Sequence, residues 1–457
     1  MKTSKTAINL TQGRPLKLIL LFAIPVFLGN LFQILYNLVD TKIVGSILGE
    51  DALAAVGAVS SLYTLLIGFF NGLSLGFSVI TSRYFGSGDE KGLKQNVAGS
   101  ILLGFATAAV IIVAVALFLK PILILLNVPN EQLDMAYTYI CILVWGMFIT
   151  LAYNLCANML RAIGDSFTPL IFLVVASVLN VILDYAFIFG LDMGVKGAAV
   201  ATVLSQLVSV VLCLIRIYKG FPILHVSKAD FILTRKQIFA MYESGLSMGL
   251  MTSIVNFGTL VLQSGINQLG TNIIVAHTSA RKVFDIWVLP VSVLGASMAT
   301  YCGQNYGAGK YDRIRKGMKD ALILGSIWIA IIFVLAHTVS PYLIAFLAST
   351  KNEEIIYWGA TYLKVDMSFL IIVVFIVILR NSMQGFGDYR TPIFSSFIEL
   401  VGKLVFTFVF VRMFGYWGII WTEPVIWALM VIPLIVMTLR NPIWRSGKQG
   451  DNREESV

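Results

Sequence analysis

The chain has 457 residues, of which 58% are hydrophobic and only 12% charged, against roughly 25% charged in soluble domains. Its mean hydropathy is +0.86, which excludes a soluble globular protein and makes the bilayer its solvent. The formal charge of +9 is spread over short segments between apolar runs, where basic residues set topology, and no nucleic-acid partner is expected.

About a dozen apolar runs of 18 to 28 residues follow one another, each near the roughly 20 residues that cross hydrocarbon as a helix. Strand-like alternation is absent, which argues against a barrel. The spans fall at 16–41, 53–82, 96–119, 135–160, 167–189, 196–217, 239–267, 274–302, 321–347, 355–380, 391–413 and 417–438. The first follows Lys2, Lys5, Arg14 and Lys17, as a signal core would. Leu18 to Val39 is too long for one, however, and no cleavage site precedes the next span. The basic residues crowd into alternate loops, including Arg83, Lys91, Lys94, Arg161, Lys219, Lys228, Arg235 and Lys236. The positive-inside rule then puts both termini in the cytoplasm. Cys141, Cys156, Cys213 and Cys302 lie in or beside apolar runs without metal-ligand spacing, so packing is their expected role and no metal site is expected.

Internal repetition organises the chain. Asn158, Gly164, Asp165, Thr168 and Pro169 recur as Asn381, Gly387, Asp388, Thr391 and Pro392, 223 residues later. Phe85-Gly86-Ser87-Gly88 recurs as Tyr306-Gly307-Ala308-Gly309, and Leu48-Gly49 as Leu269-Gly270, both at 221. The predicted organisation is a cytoplasmic tail 1–15, a six-span lobe 16–217, a basic linker 218–238, a second six-span lobe 239–438 and a cytoplasmic tail 439–457. Six spans per repeat give both lobes the same orientation, with a cavity expected between them. Each G-D-x-x-T-P element reads as a tight turn, its glycine taking the bend and its proline starting the next helix.

Polar residues within the spans are the informative ones, because each is costly in hydrocarbon and needs a partner or a job. Asn180 and Asp184 lie one turn apart on the fifth span, roughly 20 and 26 Å from its cytoplasmic start. Thr202, two turns from the outer end of the sixth, shares their depth. Asp40 ends the first span and joins them if that helix bends, for which Pro25 is the candidate. Two carboxylates with amide and hydroxyl oxygens in a poorly solvated pocket cannot both stay ionised cheaply. Such a set can take up a proton or ligate a hard cation such as Na⁺.

The second half carries Arg281, Lys282, Asp285, Asp366, Glu399, Lys403 and Glu423. Arg281–Asp285 and Glu399–Lys403 have the spacing of internal ion pairs. Asp366, four residues after Tyr362, has no partner in sequence, and the two are secondary candidates for ion or substrate contact. Tyr36, Asn154, Asn158, Met251 and Asn256 are candidate cavity-lining residues, since amide, aromatic and thioether groups suit varied organic cations. His225, His277 and His337 show no ligand spacing and receive no role.

These motifs resemble the multidrug and toxic compound extrusion (MATE) transporters from about Pro15 to Arg440. The likeness rests on Val39-Asp40-Thr41 with Gly45, Ala54-Ala55-Val56-Gly57, Arg161-Ala162-Ile163-Gly164-Asp165 with Pro169, and Gln304-Asn305-Tyr306-Gly307-Ala308-Gly309. The resemblance implies a V-shaped pair of six-helix lobes that alternates access and expels cationic compounds against H⁺ or Na⁺. In the DinF-like branch, the coupling residues correspond to Asp40, Asn180, Asp184 and Thr202, and Pro25 to the proline that bends the first helix. The NorM-like branch uses a Glu on the seventh helix with Tyr and Asp on the tenth. Tyr362 and Asp366 keep that spacing, but the seventh span offers only Val255-Asn256.

The expected function is therefore H⁺- or Na⁺-coupled antiport of small organic, cationic molecules. The protein is expected to work without other cofactor, as a monomer in the cell membrane, or in the inner membrane of a Gram-negative bacterium. A flippase for lipid-linked oligosaccharides of the related superfamily is the alternative within transport. An intramembrane enzyme is the alternative outside it, but no H-E-x-x-H, G-x-S-x-G or Ser/Lys pattern supports it.

Overall fold

A computed structural model describes residues 7–126 and 128–445. Among these residues twelve helices are long and apolar enough to cross a membrane, and no strand occurs. They are α1 (Pro15–Leu48), α2 (Glu50–Ser87), α3 (Glu90–Leu125), α4 (Asn130–Ala162), α5 (Phe167–Gly190), α6 (Val195–Gly220), α7 (Arg235–Ile266), α8 (Thr271–Gly307), α9 (Tyr311–Leu347), α10 (Glu353–Phe386), α11 (Arg390–Phe414) and α12 (Tyr416–Arg440). Each predicted span has its helix, usually lengthened by one or two turns into the polar rim.

Burial shows what surrounds these helices. The most apolar window of α3 is only 22% buried, and Val110, Leu117, Phe118 and Leu125 stand exposed along it. Apolar side chains left outside in such number are solvated by lipid.

The repeated turns are built alike. Gly164 and Gly387 take φ of 95° and 103°, a region open to glycine because it lacks a Cβ. Asp165 then accepts from the Thr168 amide at 3.0 Å and its hydroxyl at 2.6 Å. Asp388 does the same for Thr391 at 3.0 and 2.7 Å. The conserved spacing within the chain therefore has a structural cause, a carboxylate tying down the first turn of the next helix.

The chain forms two compact units, residues 1–9 with 21–252 and residues 10–20 with 253–457. The change lies inside α7, later than the basic linker at 218–238 where the sequence pattern puts it. The reason is close packing of α2 on the first half of α7. A Cβ on Gly72 would lie 2.5 Å from the Met248 carbonyl, and one on Gly76 2.5 Å from that of Ser244. Ser244 Oγ also donates to the Gly76 carbonyl at 2.7 Å. Glycines four apart thus let two backbones touch, as at other intramembrane crossings.

The stretch predicted as a cytoplasmic N-terminal tail is bound to the helices where it is described. Ile8 N–H donates to Gly164 O at 3.0 Å. Leu10 N–H donates to Gln304 at 3.1 Å, and its carbonyl accepts from Asn305 at 3.2 Å and Arg313 at 3.1 Å. Lys310 and Arg313 reach the Thr11 and Gly13 carbonyls at 2.9 and 2.7 Å. The linker is equally ordered. Asp230 accepts from the amide and hydroxyl of Ser227, both at 2.7 Å, which holds its carboxyl below the usual carboxylate range. Residues 1–6 and 446–457, the ends of the two predicted tails, lie outside the described residues.

Gly76→Val is expected to lower stability by about 1–3 kcal/mol, because the obstacle is rigid backbone. Gly57→Ala, with nothing within 4 Å of its new Cβ, is expected to leave the midpoint unchanged or slightly raised. Thermal unfolding of the purified protein in detergent compares the two.

Candidate functional site

The fifth and sixth helices bring polar groups to the interior of the first unit. Along α5 the buried positions include Thr168, Ala176, Asn180 and Asp184, a helical stripe whose last two members are completely buried. The facing stretch of α6 is small, with Gly197, Ala198, Ala201, Thr202 and Ser205 buried, so the helices meet closely. With its amide oriented to satisfy both neighbours, Asn180 donates to Asp184 Oδ2 at 2.7 Å and accepts from Thr202 N–H at 3.1 Å. Thr202 Oγ1 is in turn within hydrogen-bonding reach of Tyr36.

Asp40 reaches this group from α1, its carboxyl within hydrogen-bonding range of Asp184. The four predicted coupling residues therefore meet in one place. Asp40 Oδ1 and Asp184 Oδ1 are buried without a hydrogen-bond partner. Among the described residues no basic side chain acts on either carboxylate. Instead, Tyr36, Tyr63 and Tyr139 lie within electrostatic range. Two acids with unfilled acceptors and an aromatic wall favour a small cation, or protons, at this point.

A polar cavity of about 120 Å³ adjoins the cluster, lined by Tyr36, Asn154, Tyr153, Thr150 and Gln206 among others. Thr150 donates to Gln206 at 2.6 Å. Two of the predicted lining residues, Tyr36 and Asn154, are thus placed on a cavity. Asn158 is buried away from it, donating to Ser74 Oγ at 2.9 Å and accepting from Arg161 at 3.1 Å. Met251 and Asn256 are half-buried on α7 and are not among its walls. Pro25 lies inside α1, where it cannot donate to the carbonyl four residues earlier. Beyond it α1 meets α5, a Cβ on Gly29 lying 3.7 Å from the Leu170 and Leu173 side chains.

The second unit arranges its charges differently. Lys403 is buried and donates to Glu399 Oε1 at 2.9 Å, with Glu423 Oε1 at 3.4 Å. Arg380 stands 3.9 Å from the other oxygen of Glu399. Asp366 is fully buried. Neither of its oxygens has a hydrogen bond of good geometry, although the Tyr362 hydroxyl, also near Arg281, is in reach. Arg281 pairs with Asp285 at 3.2 Å, as predicted from their spacing. His277, given no role from sequence, is buried with Nδ1 3.2 Å from the Tyr416 hydroxyl and its ring 4.7 Å from that of Tyr362. Arg380 and Lys403 thus offset Glu399 and Glu423, while Asp366 has Tyr362 and Arg281 nearby but no ion pair among the described residues.

The MatE family model matches residues 25–186 and matches again over 247–409, an offset within two residues of that of the repeated motifs. The chain belongs to the MatE family. It is a multi-pass transporter of the cell membrane, and its work is transport, not enzymatic conversion. Among its relatives is "Probable multidrug resistance protein YpnP" of Bacillus subtilis (strain 168), 27% identical over 422 residues covering 90% of this chain and 91% of that protein. "Multidrug export protein MepA" of Staphylococcus aureus (strain MSSA476) is 21% identical over 422 residues, 92% and 93% of the two chains. In fold the chain is similar to a MATE crystal structure in the bent conformation, with TM-score 0.85, 24% identity and coverage of 95% and 98%. It is similar as well to one in the straight conformation, with TM-score 0.83, 24% identity and full coverage of both chains.

Tyr63 and Tyr139 in this MatE protein escape sequence reasoning because tyrosines in apolar helices usually pack or anchor at interfaces. Nothing in their own spacing points to Asp40. Asn180→Leu is expected to destabilise the protein by about 1–3 kcal/mol, because it strips a donor from buried Asp184 and an acceptor from Thr202. A drop in thermal unfolding midpoint in detergent, absent in Asn256→Ala, checks this.

Proposed function

We propose that this protein exports small organic, cationic molecules in exchange for H⁺ or Na⁺, and that the coupling ion binds at Asp40 and Asp184 with Asn180 and Thr202 as neutral ligands. The observation that carries the reading is the contrast in charge between the two units. Among the described residues Asp40 and Asp184 face each other without a base, while Glu399 and Glu423 of the second unit are offset by Arg380 and Lys403. A pair of buried carboxylates is stable only if something neutralises it, and in the first unit that must come from solution.

Exchange follows from competition for this charge. An organic cation is drawn by the same carboxylates and by the faces of Tyr36, Tyr63 and Tyr139. Occupation by H⁺ or Na⁺ removes that attraction. The adjoining cavity of about 120 Å³ admits an ion and water but is smaller than the roughly 300–1,000 Å³ of drug-sized sites. Cargo therefore needs a wall to withdraw. Helix α1 is suited to this, since it carries Tyr36 and Asp40 and contains Pro25. Neutralising the acids lets α1 close on α5, and their ionisation drives it off, which alternates the state of the site. The names of relatives as multidrug resistance and export proteins support organic compounds as cargo. Asp366 is a single acid with Tyr362 and Arg281 beside it, not one of a facing pair, and Tyr362 and Asp366 are assigned no exchangeable ion.

Efflux of a fluorescent organic cation from proteoliposomes, driven separately by pH and Na⁺ gradients, tests the assignment. Wild type is expected to respond to at least one gradient. Asp40→Asn and Asp184→Asn are expected to fall to the protein-free leak, with Asp366→Asn retaining most of the rate. Unchanged gradient-driven efflux in Asp40→Asn with Asp184→Asn combined would refute it.

A further inference from the structure

The two repeats register residue by residue through the region of the site. From Thr168 and Thr391 onward the spacing is 223, and burial follows it. Ala176, Asn180 and Asp184 are buried, as are Glu399, Lys403 and Thr407. Both helices then relax into π-helical turns, Tyr185–Gly190 and Phe406–Phe410. The following glycines, Gly194 and Gly415, take φ of 58° and 56°, at a spacing of 221. That spacing sets Ser209 against Met430, and the 223 spacing sets Phe172 against Ser395. Ser209 donates to the Phe172 carbonyl at 3.0 Å, and Ser395 to the Met430 carbonyl at 3.3 Å. The same two positions are bonded in both repeats, with donor and acceptor exchanged.

In this register Lys403 stands where the first unit has Asn180, and Glu423 where it has Thr202. Asp184 becomes Thr407 and Asp40 becomes Val261. The second unit thus lacks both coupling acids and holds instead an ammonium ringed by oxygens. Its partners are Glu399 Oε1 at 2.9 Å, Glu423 Oε1 at 3.4 Å and Thr259 Oγ1 at 3.4 Å. Gly258 makes room for the lysine stem, since a Cβ there would lie 2.9 Å from Lys403 Cδ. A lysine side chain is a compact cation on a tether, and its partners here are the hard oxygen donors that a monovalent cation takes.

We infer that Lys403 is a tethered cation permanently occupying the second unit's counterpart of the coupling site, so that it limits the transporter to one exchangeable ion site per chain. This rests on the coupling assignment for the first unit, but its test does not. Deleting the tether opens a monovalent cation site formed by Glu399, Glu423 and Thr259. The side chain of Lys403 fixes occupancy in the second unit, whereas the neutral amide of Asn180 at the same position leaves it to the solution.

The test uses full-length protein in detergent, carrying Asp40→Asn to silence the first unit. Thermal unfolding is followed while NaCl or n-propylammonium chloride replaces choline chloride at constant ionic strength. With Lys403 present, no cation-specific shift is expected. Lys403→Ala is expected to lower the midpoint, and Na⁺ or n-propylammonium to restore at least half of the loss saturably. The rescue should vanish when Glu399→Gln and Glu423→Gln are added. Lys403→Asn, the first unit's own residue at this position, provides a second variant with less lost volume and is expected to gain the same cation dependence. A folded Lys403→Ala or Lys403→Asn protein indifferent to both cations would overturn the inference. So would a loss of fold in both variants that neither cation prevents.

Discussion

Two carboxylates held together inside a lipid-solvated helical unit, with no base facing them, are the constraint from which the rest of this transporter follows. Asp184 is fixed by α5 and by the Asn180 amide, and Asp40 arrives on α1. Burying one ionised carboxylate without a partner is costly, and burying two adds their repulsion. In the proposed exchange the neutralising charge comes from solution, and the position of α1 is tied to its presence. In that exchange α1, which carries one of the acids and contains Pro25, is the element such a charge moves.

Duplication supplied the scaffold twice, and charge differentiated the copies. The turns at Asp165 and Asp388, the π-helical segments and the left-handed glycines agree closely between halves. These are requirements of backbone geometry, and they persist because an alternative would strain the chain. The buried charges obey no such requirement and diverge. One half sets Asp40 beside Asp184, and the other pairs Lys403 with Glu399 and Glu423.

Much of this was legible from residues alone. Lipid leaves apolar runs of fixed length, so twelve helices could be counted, and the cost of polarity in hydrocarbon singled out Asp40, Asn180, Asp184 and Thr202. Helical rise put three of them at one depth. What sequence leaves open is the direction a side chain takes around its helix axis relative to its neighbours. Asn158 is as polar as Asn154, yet one bonds Ser74 and the other lines a cavity. Tyr63 and Tyr139 carry no signal of their own, and the partners of Arg380 and Glu423 lie across a turn on the adjoining helix, with no fixed spacing to mark them. The allegiance of α7 is set by glycines whose contact with α2 only the packed structure shows. The binding of residues 10–13 depends on side chains some 300 positions away.

The central claim is that cargo and coupling ion are exchanged at the acids of the first unit. The most direct measurement counts ions released when a saturating organic cation such as ethidium is added to purified protein, with H⁺ read in weakly buffered solution and Na⁺ by a sodium electrode. Wild type and Asp366→Asn should release a proton or a sodium ion on binding, and the Asp40→Asn/Asp184→Asn protein should release neither. Equal release from that double variant would contradict the account and move the coupling site elsewhere in the chain.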